Sequence, residues 1–448
     1  MENLLIVALA CMVTALPFWL GGRYGAVPLV SPMHLLSYFC AFGFLVKAVV
    51  YAFAPEWSFY SRFIDTPGAD LKGALYLGTF IVLMCAGYRA GVHASDRPAA
   101  VREIRLIAAG LQRHNWLFAA SFMIAGLTLV LMLRARGVSA LSLDLLETLN
   151  TDKQINVDAA GNGATLAGIK TLFIVPKCAF VLLFANGIVL RDAMVLGQSA
   201  LIAALVVCIA LVSGDRFELV ELFAFGAITY LLVGGPVRLR SLFFAFIAAS
   251  TVLLFSAYMT ALRGNDAGLL HQIVGSTYFL DFNAAVMVTD RVSPQMYLWG
   301  GSYTWWGFGW FPRAFWPDKP AIDLGVFFKR EVMGLTTGGA FNVTGPGEAY
   351  INFGPAGAVV GFALGWAYRR AEIALLGAQN TLRFASFALY PLLLYPFVQG
   401  TLQSSFSAFI VGAVAQLALI VGVIVLCLPR YRPRAKTQIA KWGKSHAV

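Results

Sequence analysis

Apolar residues occur along this chain in long runs, and most polar residues lie in the segments between them. A helix that crosses the hydrocarbon core of a bilayer needs about 20 predominantly apolar residues. Runs of this kind lie at residues 3–20, 29–53, 71–88, 116–133, 166–190, 195–213, 217–235, 241–262, 349–368, 384–401 and 407–428. The pattern therefore predicts an all-α polytopic membrane protein with about 11 transmembrane helices.

Composition supports a single integral membrane domain over residues 1–448. Apolar residues make up 59% of the chain and charged residues 12%, whereas a soluble domain has about 25% charged residues. The run at 3–20 lacks a preceding basic segment and an A-x-A cleavage site, so we expect a retained helix and not a signal peptide. The six cysteines lie in apolar runs without CxxC or Cys/His spacing, which predicts no disulfide framework and no metal site. We expect no cofactor.

The basic residues predict how the chain is oriented in the membrane. The net charge is +11, and Lys and Arg cluster at the ends of apolar runs, as the positive-inside rule requires, so nucleic-acid binding is not indicated. The carboxyl-terminal tail contains Arg430, Arg432, Arg434, Lys436, Lys441 and Lys444. Alternation from this tail puts residues 89–113, Arg191, Arg238, Arg240, Arg369 and Arg370 on the same, cytoplasmic, face. We therefore expect the carboxyl terminus in the cytoplasm and the amino terminus outside.

The longest segment between apolar runs, residues 263–348, is predicted to be an extracytoplasmic loop. Connections of more than about 15 residues are uncommon inside compact domains and are usually functional. This one is rich in Trp, Tyr, Phe, Gly and Pro, and aromatic side chains favour the membrane–water interface. We expect short interfacial helices that lie over the helical bundle.

Several basic residues on the expected outer face are candidates for phosphate binding. Arg216 lies between the runs at 195–213 and 217–235, Arg263 follows the run at 241–262, and Arg313 and Lys319 flank Trp316 in the long loop. A guanidinium group can bond two phosphate oxygens at once and keeps its charge when partly desolvated. The alternative is that these residues snorkel to the interface, pair with neighbouring carboxylates or stack on an aromatic ring.

Three further residues on that face are candidates for proton transfer. Glu348 is expected to begin the run at 349–368 and to bind or deprotonate a sugar hydroxyl, although a Glu there also suits a helix amino terminus. His271 and Asp266 are alternative bases in the long loop. Lys47 and Lys177 lie within apolar runs, where a Lys either snorkels outward or has a function.

Three strings of residues resemble the oligosaccharide repeat-unit polymerases of the Wzy type, the O-antigen polymerase family. They are Ser213-Gly214-Asp215-Arg216, the segment from Pro312-Arg313 to Trp316-Pro317-Asp318-Lys319-Pro320, and Gly347-Glu348-Ala349-Tyr350-Ile351-Asn352-Phe353-Gly354. The order of these strings and the topology also resemble that family. The motifs cover the carboxyl-terminal half, and the hydropathy pattern covers the whole chain.

The resemblance implies a membrane glycosyltransferase that joins undecaprenyl-diphosphate-linked oligosaccharides on the periplasmic face, without a metal. The product would be O-antigen, capsule or exopolysaccharide. Arg216 matches the family position best, and Arg263 and His271 are also carried over. Tyr350, Asn352 and the loop aromatics including Trp316 would contact the glycan. A chain-length regulator and a flippase of the same pathway are the implied protein partners.

Three other functions are compatible with the sequence, and one of them is that of a purely structural membrane subunit. A ligase of the O-antigen type would transfer the finished glycan to a lipid core by the same chemistry. A transporter or flippase for lipid-linked sugar belongs to a different class. Against a transporter, no internal repeat is evident, and the polar residues concentrate in one loop and not along mid-membrane helices.

Overall fold

The computed structural model describes most of the chain. The described residues are 2–58, 66–93, 96, 101–135, 171–213, 217–234, 280–311, 315–316, 319–335, 342–377 and 386–428, with isolated positions between 247 and 274. The longer helices are α1 (Glu2–Tyr24), α2 (Pro32–Phe53), α3 (Ala69–Ala90), α4 (Val101–Ala109), α5 (His114–Ala135), α6 (Ile174–Leu190), α7 (Ala193–Ser213), α8 (Phe217–Val233), α9 (Phe282–Arg291), α10 (Thr344–Phe353), α11 (Ala358–Leu376), α12 (386–403) and α13 (Phe406–Cys427).

The chain is an α-helical membrane protein. Among the described helices, α1, α2, α3, α5, α7 and α13 are long and apolar enough to cross a bilayer, and α6 is a shorter apolar helix of 17 residues. Apolar side chains on the surfaces of these helices, such as Leu4, Met123 and Leu426, are more than half exposed in the isolated chain. Such surfaces suit contact with lipid.

The expected span at 349–368 is interrupted, which corrects the sequence analysis. Helix α10 ends at Phe353, and a separate helix α11 begins at Ala358 after the turn Gly354–Gly357. Gly354 has φ +60°, and a Cβ there would lie 2.2 Å from the Tyr297 hydroxyl oxygen, so the break requires glycine. Glu348 consequently lies in the middle of α10 and does not begin a span.

Helices α3 and α11 pack closely and in parallel. A Cβ on Gly361 would lie 2.4 Å from the Phe80 carbonyl oxygen, and one on Gly365 would lie 1.9 Å from the Met84 carbonyl oxygen. Residue numbers increase in the same direction along the two helices, from Phe80 to Met84 and from Gly361 to Gly365, so α3 and α11 are parallel. Small residues permit this backbone approach, as in other membrane helix pairs.

Helix α9 is packed inside the bundle, although the sequence analysis placed the whole of 263–348 over its surface. Residues 282–289 are all buried. The Leu280 carbonyl approaches Gly43 of α2, and the Val286 backbone approaches Gly73 of α3. Short helices follow in the loop at Pro294–Met296, Gly301–Thr304, Trp306–Gly309 and Leu324–Phe327. The loop therefore has one inserted helix and several short ones.

Candidate functional site

The buried carboxylate of Glu348 joins three separate segments. The Ser302 hydroxyl donates to Glu348 Oε1 at 2.6 Å, and the backbone N–H of Phe406 donates to Oε2 at 2.6 Å. Glu348 is 1% exposed. Its two oxygens thus hold the long loop and the first turn of α13 against α10. We call the group of Glu348, Ser302, Asn352 and Phe406 the Glu348 junction.

Asn352 lies one helical turn after Glu348 and is also buried. Its Nδ2 donates to the Ser302 hydroxyl at 2.7 Å and to the Glu348 carbonyl at 2.9 Å, and its Oδ1 accepts from the Gly300 N–H at 3.0 Å. The sequence analysis assigned Asn352 to glycan binding. In the structure, both ends of its amide are bonded within the protein, so it holds the turn at Gly300.

The first turn of α13 makes further bonds to the long loop. Ser407 donates to the Ser302 carbonyl at 2.5 Å and accepts from the Trp306 N–H at 3.0 Å. Ser405 donates to Asp323 Oδ1 at 3.2 Å, and this carboxylate also accepts from the Gly325 N–H. The start of α13 is therefore the place where two parts of the loop meet.

The Glu348 carboxyl has an unusual proton affinity. Burial raises its pKa from the ordinary 4.5 to about 7, while the hydrogen bonds from Ser302 and the Phe406 N–H act in the opposite direction, and Asp323 adds to the increase. Burial, followed by the charge of Glu348, also raises the pKa of Tyr303. The junction therefore changes its charge near neutral pH.

Tyr350, the other expected glycan contact in α10, packs against α3. Its ring meets that of Tyr76 edge-on, with centroids 4.8 Å apart, and Tyr76 donates to the Pro346 carbonyl at 2.8 Å. Tyr350 is 4% exposed. It fills the contact between two helices in this structure.

Lys319 and Trp316 lie at the exposed end of the loop. Lys319 Nζ donates to the carbonyl oxygens of Gly309 and Phe311 at 3.1 and 2.8 Å. Trp316 lies edge-on to Phe308, 6.0 Å between centroids. Large aromatic side chains that are exposed in this part of the loop are Trp299, Trp306, Trp310, Phe311, Phe315 and Trp316. This surface suits the interfacial zone or the apolar face of a sugar.

A cavity of about 300 Å³ lies between α8, α12 and α13. Its polar lining comes from Glu221 of α8, Gln399 and Gln403 of α12, Ser404, and Gln416 of α13. Ser404 is two residues before Phe406, so the cavity and the junction share the α12–α13 connection. We call this space the polar cavity.

The two lysines within apolar runs form buried ion pairs and do not snorkel outward. Lys177 Nζ lies 2.5 Å from carboxylate oxygens of both Glu218 and Glu221, and Lys47 Nζ lies 2.6 Å from Asp281 Oδ1. Charges that are removed from water are retained only when paired. The snorkelling alternative is therefore wrong for both residues.

Five expected site residues, Arg216, Arg263, Asp266, His271 and Arg313, lie outside the described residues. Residues close in sequence to Arg216 and to Arg313 are described, and they lie near α13. Glu221, five residues after Arg216, lines the polar cavity together with Gln416 of α13. Gly309, four residues before Arg313, is so close to α13 that a Cβ would lie 2.6 Å from Val411 Cγ2.

Four residues of the site were not among those expected from the sequence: Ser302, Glu221, Gln399 and Gln403. The two glutamines were detectable, because they are polar residues four positions apart at the end of an apolar run and so share a helix face. Ser302 had no such signal, since its partners are 46 to 105 residues away.

Within the described ranges, no cluster of three or more His, Cys, Asp or Glu residues is arranged to hold a metal ion. No protein-family model, curated protein or solved structure matches the chain.

Proposed function

We propose that the chain is a membrane glycosyltransferase that polymerises undecaprenyl-diphosphate-linked oligosaccharide repeat units on the periplasmic face of the bacterial inner membrane. It would have about 11 spans, with the amino terminus outside and the carboxyl terminus in the cytoplasm. The resemblance of three residue strings to O-antigen polymerases is the starting point. The arrangement around α13 gives this proposal its physical support.

The observation that carries the proposal is that described segments next to Arg216 and Arg313 both lie near α13. Glu221 of α8 lines the polar cavity together with Gln416 of α13, and Gly309 of the long loop packs against Val411, on a part of α13 that does not line this cavity. A diphosphate is already a good leaving group, so its transfer requires charge stabilisation and correct positioning more than covalent chemistry. Arg216 and Arg313 would bind the departing phosphates there.

In this proposal the Glu348 junction positions the long loop. Glu348 is closed off by hydrogen bonds from Ser302 and Phe406 and lies away from solvent. It therefore acts through the loop and not on the sugar. The exposed Trp299, Trp310 and Trp316 would then be held over the membrane surface to stack against glycan rings.

The test is polymerisation by the purified full chain in detergent, with a lipid-linked repeat unit as the only glycan. We expect a ladder of products from the native chain and a loss of about 100-fold or more from Arg216→Ala and from Arg313→Ala, because each removes leaving-group stabilisation. Arg330→Ala is the control, since Arg330 is an exposed arginine in the same loop.

The products of this assay distinguish a polymerase from a ligase. A native chain that produces no product longer than the supplied repeat unit contradicts the polymerase proposal. Transfer of the glycan to an added lipid core, without chain growth, indicates a ligase. Full activity of Arg216→Ala at normal protein levels contradicts the role of that arginine.

A further inference from the structure

Glu221 is the described acidic residue that reaches the polar cavity. Its side chain is 23% exposed, whereas Glu348 is 1% exposed and has both oxygens bonded within the protein. Glu221 Oε2 lies 2.5 Å from Lys177 Nζ. A carboxylate that is oriented by a buried ammonium group and faces a cavity has the position expected of a general base.

Lys177 fixes the position of Glu221 at the cavity wall. Its buried ammonium group contacts the carboxylates of Glu218 and Glu221, each at 2.5 Å. Glu221, and not Glu218, lines the polar cavity. The ion pair therefore orients one carboxylate toward the space where a ligand would bind.

The part of the polar cavity that α12 lines has an unmet hydrogen-bonding requirement. Gln399 is 6% exposed, and its Nε2 donates to Gln403 Oε1 at 3.1 Å. Among the described residues, Gln399 Oε1 has no hydrogen-bond partner although it is buried. A buried amide oxygen without a donor is destabilising, because it has lost its hydrogen bonds to water and gained none. A ligand hydroxyl would supply the missing donor.

We propose that the polar cavity binds the acceptor sugar of the lipid-linked glycan, with Glu221 accepting the proton of the attacking hydroxyl. This inference rests on the proposed function. Glutamine amides and a serine hydroxyl match the neutral, hydroxyl-rich surface of a sugar, since each amide both donates and accepts. The cavity volume of about 300 Å³ has space for one sugar ring.

The acceptor hydroxyl oxygen attacks the anomeric carbon of the donor and forms the new glycosidic C–O bond. The bond from the anomeric carbon to the diphosphate oxygen breaks, and its electron pair leaves with the lipid diphosphate. The hydroxyl proton moves to the Glu221 carboxylate and is later released to water.

The catalytic part of the test is the polymerisation assay with Glu221→Gln. We expect the rate to fall about 100-fold or more, the usual contribution of a general base. The matched control is Glu218→Gln, which removes the other carboxylate at Lys177 and leaves Glu221 in place. Equal losses in both variants, or full activity of Glu221→Gln, would overturn the base assignment.

The binding part does not depend on catalysis. A cysteine is placed at the cavity edge by Ala408→Cys, and its rate of modification by a maleimide is followed by mass spectrometry of the labelled peptide. We expect hexyl β-D-glucoside to slow modification severalfold, hexan-1-ol to have no effect, and an added Gln399→Leu change to abolish the protection. Protection that survives Gln399→Leu, or equals that given by hexan-1-ol, contradicts the sugar site.

The two parts distinguish the possible failures. A native chain without polymerase activity but with glucoside protection contradicts the proposed function and supports the sugar site. An active native chain without glucoside protection supports the proposed function and contradicts the sugar site.

Discussion

At the scale of single residues, Glu348 is the clearest case of a residue whose importance was predicted from the sequence and whose contacts were not. Its position among Gly and Pro residues before an apolar run marked it as a candidate for chemistry. The structure places the same carboxylate between Ser302 and the Phe406 N–H, out of solvent. Both hydrogen-bond partners are distant in sequence. The sequence could therefore identify Glu348 as a candidate functional residue, but it could not predict these hydrogen bonds.

The raised pKa of Glu348 predicts a pH-dependent stability. Its folded-state pKa of about 7 exceeds the ordinary 4.5, so the folded chain binds more protons than the unfolded chain between these values. The stabilisation is present below pH 4.5 and is lost as the pH rises through about 7. The difference corresponds to about 3 kcal/mol. We expect the thermal midpoint in detergent to fall as the pH increases across this range.

Glu348→Gln is the comparison for this measurement. Its amide carbonyl accepts from the Phe406 N–H and its NH₂ donates to Ser302, as the protonated acid would. The variant should keep a midpoint near that of the native chain at low pH and lose this part of the pH dependence. An unchanged slope in Glu348→Gln would assign the dependence to other groups.

At the scale of elements, glycines determine which helices approach each other. Gly43 and Gly73 admit α9 between α2 and α3, while Gly361 and Gly365 bring α11 against α3. Helix α9 has only ten residues, which is too short to span a bilayer, so a search for runs of about 20 apolar residues could not detect it as part of the bundle. The long apolar runs were predictable because their signal is local.

Replacing Gly43 should separate α9 from α2. A Cβ at this position would lie 1.5 Å from the Leu280 carbonyl oxygen, and backbone atoms cannot move aside as a flexible side chain can. We expect Gly43→Ala to lower the free energy of unfolding by about 3 kcal/mol, the upper end for overpacking. The measurement is the thermal midpoint in detergent.

Gly126→Ala in α5 is the matched control, because no atom lies within 4 Å of its added Cβ. Alanine also has the higher helix propensity, so the control should be neutral or slightly stabilising. A similar loss in both variants would indicate a general effect of the substitution and not the approach of Leu280.

At the scale of the whole molecule, the parallel contact between α3 and α11 constrains the topology. Two spans that run in the same direction must be separated by an odd number of crossings. Four described apolar helices, α5 to α8, lie between them in sequence, and the expected span at 241–262 would be the fifth. If α3, α11 and these four helices all cross the bilayer, the parallel contact requires one further crossing, and the span at 241–262 stays a prediction.

The proposed orientation predicts which side chains are accessible from outside the cell. Phe315 in the long loop is 85% exposed, and Val101 of α4 is 53% exposed in a segment expected in the cytoplasm. A membrane-impermeant maleimide should modify Phe315→Cys in intact spheroplasts and Val101→Cys only after permeabilisation. The reverse pattern would invert the orientation and place the polar cavity on the cytoplasmic side.

The candidate site was partly predictable at this scale. The expected outer segments did supply the Glu348 junction, and Glu221 and the glutamines lie near the ends of expected runs. Their convergence on α13 depends on helix packing between residues more than 180 positions apart, as for Glu221 and Gln416. Hydropathy does not encode such contacts, so the cavity could not be located from the sequence.

The ion pair between Lys47 and Asp281 has a consequence for biosynthesis. The two residues are separated by 234 positions, so the ribosome, at roughly 5–20 residues per second, makes the acidic partner about 12 to 47 s after the basic one. During that interval α2 has an ammonium group without its final counter-ion. Completion of the amino-terminal half must therefore await the second half of translation, and a chain released before residue 281 would be a substrate for membrane quality control.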